Sequence, residues 1–118
     1  MNDRPWIGVD LDGTLAYYDH FVSPVHIGAP VPAMVARVKQ WLAGGKLVKI
    51  FTARVGPGND VEAEAARAAI EDWCDEHIGQ VLEVTCTKDW RMVELWDDRA
   101  VQVEQNTGVI LGRSTRGL

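Results

Sequence analysis

Four aspartates, a threonine, an arginine and a lysine stand where apolar runs end. Asp10 and Asp12 lie two residues apart in Asp10-Leu11-Asp12-Gly13-Thr14, directly after the apolar run Trp6-Ile7-Gly8-Val9. Asp97-Asp98 follows Val93-Glu94-Leu95-Trp96, Thr52-Ala53-Arg54 follows Leu47-Val48-Lys49-Ile50-Phe51, and Lys88 lies just past Val81-Leu82-Glu83-Val84-Thr85. Carboxylates brought together repel, and each resists ionisation unless a positive charge neutralises the group. A hard divalent cation with oxygen ligands does so, and Mg²⁺ commonly combines a few carboxylates with waters and a phosphate oxygen. The chemistry this suggests is phosphoryl transfer. One aspartate attacks phosphorus, the metal and a lysine hold the equatorial oxygens, and a second carboxylate protonates the leaving oxygen.

For such residues to meet, the runs must be strands whose carboxyl ends share one edge. Trp6–Asp10 reads as a buried strand with a functional end. Residues 15–29 are a loop rich in Tyr, His, Pro and Gly. Val31, Met34, Val35, Val38, Trp41 and Leu42 then form a helical stripe, with prolines 30 and 32 suited to its first turn and Gly44-Gly45 to its end. A second strand covers 47–51. Asn59 and Glu62 have the spacing of a capping box, opening a helix whose buried face is Ala66, Ala69, Ile70, Trp73, Cys74 and His77, with Gly79 at its end. A third strand follows over 81–85, a short helical turn over 89–92 and a fourth strand over 93–96. Residues 100–103 and 109–111 read as two arms of a hairpin around Asn106-Thr107-Gly108, with a short helix over 99–105 as the competing reading. Strand–helix alternation predicts an α/β fold: one three-layer, Rossmann-like domain over residues 1–118, mainly parallel, with helices on both faces. Ligands of such sheets bind beyond the carboxyl ends of the strands.

Asp-Leu-Asp-Gly-Thr at 10–14 resembles the first motif of the haloacid dehalogenase (HAD) superfamily of aspartate-nucleophile phosphatases. Thr52, Lys88 and Asp97-Asp98 resemble its second, third and fourth motifs, in order, over about residues 6–99. The resemblance implies Asp10 as nucleophile and metal ligand, and Asp12 as general acid then base with its backbone carbonyl on the metal. It implies Thr52 and Lys88 on the transferring phosphoryl group, and Asp97 and Asp98 on Mg²⁺ directly or through water. Gly13 fits a tight departure from the strand, where a backbone N–H can also meet phosphate, and Thr14 is expected to orient the loop. In this superfamily, long insertions after the first motif or between the second and third usually build a cap. Here both intervals are used up by one loop, two helices and a strand, so an open, capless site is expected. Water would then be excluded by the 15–29 loop, a bulky substrate or a second subunit of a homo-oligomer.

Composition narrows the classes. The 118 residues are 47% hydrophobic and 25% charged, ordinary globular proportions. No apolar run approaches the ~20 residues of a membrane span, and no secretory signal is visible at Met1–Pro5. Cys74 and Cys86 show neither disulfide nor zinc spacing, so reduced thiols and a cytoplasmic setting are expected. A net charge of −5 disfavours holding nucleic acid by bulk charge, which leaves nucleic acid only as a substrate. The leading expectation is a Mg²⁺-dependent phosphomonoester hydrolase with an aspartyl-phosphate intermediate. A phosphatase of nucleotide or polynucleotide ends, like the phosphatase domains of polynucleotide kinases, is the alternative, and a receiver-like phospho-binding module is a third. The physiological substrate is not legible. Arg54 fits either a substrate clamp or a pair with an acidic neighbour. His20 and His26 fall in the overhanging loop, and the tryptophans default to core packing.

Overall fold

The computed structural model describes residues 4–56 and 60–112. Asn59, Arg113 and Arg116 lie outside them. In chain order the elements are β1 (Trp6–Val9), α1 (Pro32–Ala43), β2 (Leu47–Phe51), a single 3-10 turn (Ala53–Val55), α2 (Asp60–His77), β3 (Glu83–Thr85) and β4 (Met92–Trp96). The four strands form one all-parallel sheet in the order β3-β2-β1-β4. The expected α/β class and parallel sheet are therefore found.

Helix ends follow local chemistry. Pro32 opens α1, where a missing N–H costs nothing, and Gly45 leaves it at φ +82°, a conformation that favours glycine. Asp60 and Glu62 sit in the first turn of α2 and His77 in its last, each complementing the helix dipole.

The register decides which layer each side chain joins. Ile7 pairs with Val48 and Val9 with Ile50, so these four share one face of the sheet. Both helices pack there: Met34, Val35 and Val38 of α1 and Ile70, Trp73 and Cys74 of α2 join them in one buried cluster with Leu11, Leu15 and Val84. Trp96 of β4 extends this face, its ring 5.1 Å from that of Trp41 and 5.0 Å beneath the Arg37 guanidinium.

Helices on both faces, the expected third layer, are not formed among the described residues. The reason is topological. The chain moves from β1 to β2 to β3 in one direction along the sheet, and right-handed crossovers in one direction place their helices on one face. Only the return from β3 to β4 crosses the other face, and it has just the residues from Cys86 to Arg91. This strap is fixed by Trp6, whose Nε1 donates to Asp89 Oδ1 at 2.9 Å and whose ring lies 4.6 Å from Lys49 Nζ. Gly8 keeps the same face thin, since a Cβ there would come within 3.0 Å of the Met92 sulfur.

Smaller differences have local causes. The third strand begins at Glu83 rather than 81, because Val81 is exposed and outside the ladder. The short turn expected at 89–92 is present as a single hydrogen-bonded turn, closed by the Met92 N–H on Asp89 O at 3.1 Å and held by the Arg91 N–H on Asp89 Oδ1 at 2.8 Å. Of the two readings of the tail, the hairpin is the one formed, with an antiparallel Val103–Ile110 bridge. No described helix is long and apolar enough to cross a membrane.

Candidate functional site

The sheet order brings the acidic residues together. Successive connections leave opposite faces where β1 adjoins β4, and the crevice beyond the carboxyl ends at such a switch point is the habitual ligand site of α/β sheets. Asp10 leaves β1 there with its N–H on the Trp96 carbonyl at 2.9 Å, and Asp97-Asp98 leaves β4. A cleft of about 590 Å³ opens at this point, lined among others by Asp10, Asp12, Thr52, Arg54, Asp97 and Asp98.

One carboxylate oxygen each from Asp10, Asp97 and Asp98 lies within 4.8 Å of the others. The half-buried Asp10 carboxyl is consequently pushed up to about 7, first by burial, then by the charge of Asp97, then by a hydrogen bond and the charge of Asp98. Thr14 ties the two loops together. Its hydroxyl accepts the Asp98 N–H at 3.0 Å, and its single proton is shared between Asp10 Oδ2 and Asp98 Oδ1, each at 3.3 Å. Gly13 makes this closeness possible. Its φ is +87°, and a Cβ would stand 2.5 Å from Asp98 Oδ2. The tight departure expected at Gly13 and the orienting role expected of Thr14 thus have a geometry, but the Gly13 N–H, expected to meet phosphate, donates to Ala16 O at 2.8 Å.

Asp12 faces a different partner. Both of its oxygens accept from Arg54, Oδ2 from Nε at 2.8 Å and Oδ1 from Nη2 at 2.9 Å, a bidentate pair with little solvent at the guanidinium. Arg54 Nη1 also donates to the carbonyls of Ser23 and Pro24 at 3.3 and 3.0 Å, so the same side chain pins the overhanging loop. That loop is pinched at its base by Tyr17 N–H on Ala29 O at 2.7 Å and held from below by Trp73 Nε1 on Gly28 O at 3.0 Å. Of the two readings of Arg54, the structure shows the pair with an acidic neighbour. Asp12's carboxylate is not a member of the three-oxygen cluster.

Thr52 is buried at the end of β2, where its hydroxyl accepts the Arg54 N–H at 3.2 Å and starts the 3-10 turn. Lys88 is not brought to the cleft. The residue after it, Asp89, is bonded to Trp6 at the opposite end of β1, so the strap carries Lys88 away from the carboxyl edge. Arg99 lines the cleft instead, its N–H on Asp97 Oδ1 at 2.7 Å, together with Tyr18, Phe51 and Ala53. Arg99 was legible as the one cation directly after the acidic pair. His20 and His26 lie beside a smaller cavity of about 190 Å³ that adjoins the cleft through Tyr18 and Arg54. Cys74 and Cys86 are free thiols, and burial pushes the Cys74 thiol up to about 11.

Fold and site define an α/β parallel-sheet domain with a carboxylate-lined crevice at its switch point. A conserved protein from Bacteroides thetaiotaomicron, coded by a locus of that organism, has a similar structure, with a TM-score of 0.56 at 20% identity over 84% of this chain and 79% of that one. At that identity the likeness speaks to the fold. No protein-family model and no curated protein matches the sequence.

Proposed function

We propose that this chain is a Mg²⁺-dependent phosphomonoester hydrolase of the haloacid dehalogenase type, with Asp10 as its nucleophile. The observation that carries the reading is the convergence of Asp10, Asp97 and Asp98 within 4.8 Å at the switch-point crevice. The donor set suits the ion: three carboxylates, all hard oxygen ligands, with a raised Asp10 that a divalent charge would return to its anionic form. When bound, Mg²⁺ would neutralise these carboxylates and polarise the phosphoryl oxygens.

Asp10 then attacks phosphorus, and the alkoxide leaves as an aspartyl-phosphate forms. Thr52 and Arg99 line the cleft where the transferring group would sit, and Arg99 offers the charge that Lys88 does not bring. Asp12 is the acid–base candidate beside Asp10. Protonating the leaving oxygen would need a proton-bearing Asp12 carboxyl released from Arg54, and the carboxylate left by that transfer would take a proton from water in the second step. The alternative of polynucleotide ends draws no support from Arg54, whose guanidinium is engaged with Asp12 and two loop carbonyls. A receiver-like module would carry its accepting aspartate after β3, and Thr85 ends that strand without one.

The test is turnover of p-nitrophenyl phosphate by the full chain, after chelation and after adding Mg²⁺ back. The reading requires activity that chelation abolishes, that Mg²⁺ restores and that Asp10→Asn lowers by at least about 10³-fold. Turnover that survives the chelator, or Asp10→Asn within about tenfold of the parent, sinks it.

A further inference from the structure

We propose, resting on the hydrolase reading of the cleft, that the loop over residues 17–28 forms its leaving-group subsite, where Tyr18 stacks on an uncharged planar ring of the substrate alcohol. A phosphoryl group fills only a corner of a cleft of about 590 Å³. That volume falls within the range of pockets that enclose most of a small organic ligand, so the rest of the ester has room there as well. Past Tyr18 and Arg54 the cleft continues into the cavity of about 190 Å³, walled by Tyr17, Tyr18, Val22 and His26.

The loop is fastened from within. Gly28 comes so close to the other arm that a Cβ there would stand 1.9 Å from Tyr17 O. Trp73 Nε1 holds the Gly28 carbonyl, Arg54 Nη1 holds those of Ser23 and Pro24, and the His26 N–H donates to Ser23 Oγ at 3.1 Å. Backbone groups of the loop are thus spent on the protein itself, and side chains are left for a ligand. Tyr17 and Tyr18 are 63% and 43% exposed on this fixed frame. Firmly placed tyrosines give contact area at little cost in conformational freedom, and an exposed ring face suits a flat partner.

Charge and polarity select the ring. Asp10, Asp12, Asp19, Asp97 and Asp98 line the two cavities against the guanidinium groups of Arg54 and Arg99. Under the proposed function the phosphoryl group takes up the divalent ion and Arg99, while Arg54 is engaged with Asp12 and two loop carbonyls. His20 Nδ1 lies 2.7 Å from Asp19 Oδ1. A second anionic group on the alcohol would therefore meet carboxylates, which disfavours bisphosphates, phosphorylated acids and polynucleotide ends. A polyol needs partners for its hydroxyls, and the carbonyls of Ser23, Pro24 and Gly28 are already taken. An uncharged aromatic ring asks for neither. A nucleobase and an aryl group share that chemistry.

Pairs of esters with matched leaving alcohols separate the subsite from leaving-group reactivity. Phosphate release by the full chain with Mg²⁺ compares adenosine 5′-monophosphate with ribose 5-phosphate, and benzyl phosphate with cyclohexylmethyl phosphate. The aromatic member should have a kcat/KM at least about fivefold higher. A preference confined to one pair supports the subsite and tells a nucleobase from an aryl group. Tyr18→Leu should bring the ratios to within about twofold of one, and Tyr18→Phe should keep them. Phe21→Ala should also keep them, since Phe21 is 63% exposed on the same loop but lines neither cavity. Calorimetric binding of the four esters to Asp10→Asn with Mg²⁺ reads the subsite without chemistry. Binding that depends on the ring and on Tyr18, in a chain whose unsubstituted form turns over nothing, would sink the hydrolase reading and uphold the subsite. Turnover or binding indifferent to the ring, a preference that survives Tyr18→Leu, or no binding of any of the four overturns the inference.

Discussion

If the crevice binds a divalent cation, binding must expel a proton from Asp10. Without a cation this carboxyl lies at about 7, because it is half-buried and faces Asp97 and Asp98. A ligand carboxylate must be ionised, so binding and deprotonation are linked. With that value, roughly 0.9 proton should leave per ion bound at pH 6, about half a proton at pH 7 and about 0.1 at pH 8, and apparent affinity should be about tenfold weaker at pH 6 than at pH 8. Calorimetric titration with Mg²⁺ in two buffers of different ionisation enthalpy measures the number directly. Stability carries the opposite sign. The folded value lies above the ordinary 3.8, so the fold holds this proton more tightly than the unfolded chain does. Metal-free stability should therefore fall as pH rises from about 4 through about 7 and then level off, by on the order of 2 kcal/mol once solvent screening of a half-buried group is allowed for. Saturating Mg²⁺ should cancel that decline, raising Tm most at pH 8. In Asp10→Asn both the proton release and the decline should vanish. Binding at pH 6 without proton release, or release that persists in Asp10→Asn, would refute the reasoning.

Further predictions follow from single contacts. Arg54→Met removes the bidentate partner of Asp12 and the pin on Ser23 and Pro24; it should cost at least tenfold in kcat/KM and raise amide exchange across residues 18–28, measured together by kinetics and exchange mass spectrometry. Lys88→Ala should leave kcat/KM within about threefold of the parent, whereas Arg99→Ala should lower it by more than about tenfold, because of these two residues Arg99 is the one that lines the cleft; equal losses would return Lys88 to the site. Gly13→Ala should cost ~1–3 kcal/mol by chemical denaturation and weaken Mg²⁺ binding, since its φ of +87° and the Asp98 carboxylate 2.5 Å away both oppose a Cβ.

The strand ends were legible because each coincides with a change from apolar to charged residues, a pattern that burial enforces. Val9 is fully buried and Asp10 is not; at the end of β2 the change is one of residue type alone, since Phe51 is half-buried and Thr52 is buried. Side-chain partnership was less legible. Nothing local tells whether Arg54 meets a substrate or Asp12; the answer depends on how the 3-10 turn at Ala53–Val55 aims the guanidinium beneath a loop some 30 residues earlier. The hairpin around Asn106-Thr107-Gly108 could be read from turn chemistry, but not that it stands clear of the core, because its alternating valines have the pattern of a buried face.

The placement of Lys88 shows where reading by motif order gives way to chain geometry. Apolar runs ending in polar residues imply that each run contributes its end to one edge, and Lys88 follows such a run. Strand order adds a constraint that the runs do not carry. With β3 and β4 on opposite edges of the sheet, the chain must cross three strand spacings, ~14 Å, and also return the length of a strand, ~13 Å, before β4 can begin parallel to β1. The residues from Cys86 to Arg91 reach at most ~20 Å when extended. That distance is just sufficient, so the strap has to leave the carboxyl edge at once. Thr85 and Thr87 make the turn, with Thr87 N–H on Thr85 Oγ1 at 3.0 Å, and by Asp89 the chain is already bonded at the far end of β1. A strap this short has room for the single turn at 89–92 but not for a longer helix, and it does not linger at the cleft with a lysine. Under the proposed function, a cation for the transferring group has to come from an element that ends at the crevice itself, and Arg99, immediately after Asp97 and Asp98, meets that condition.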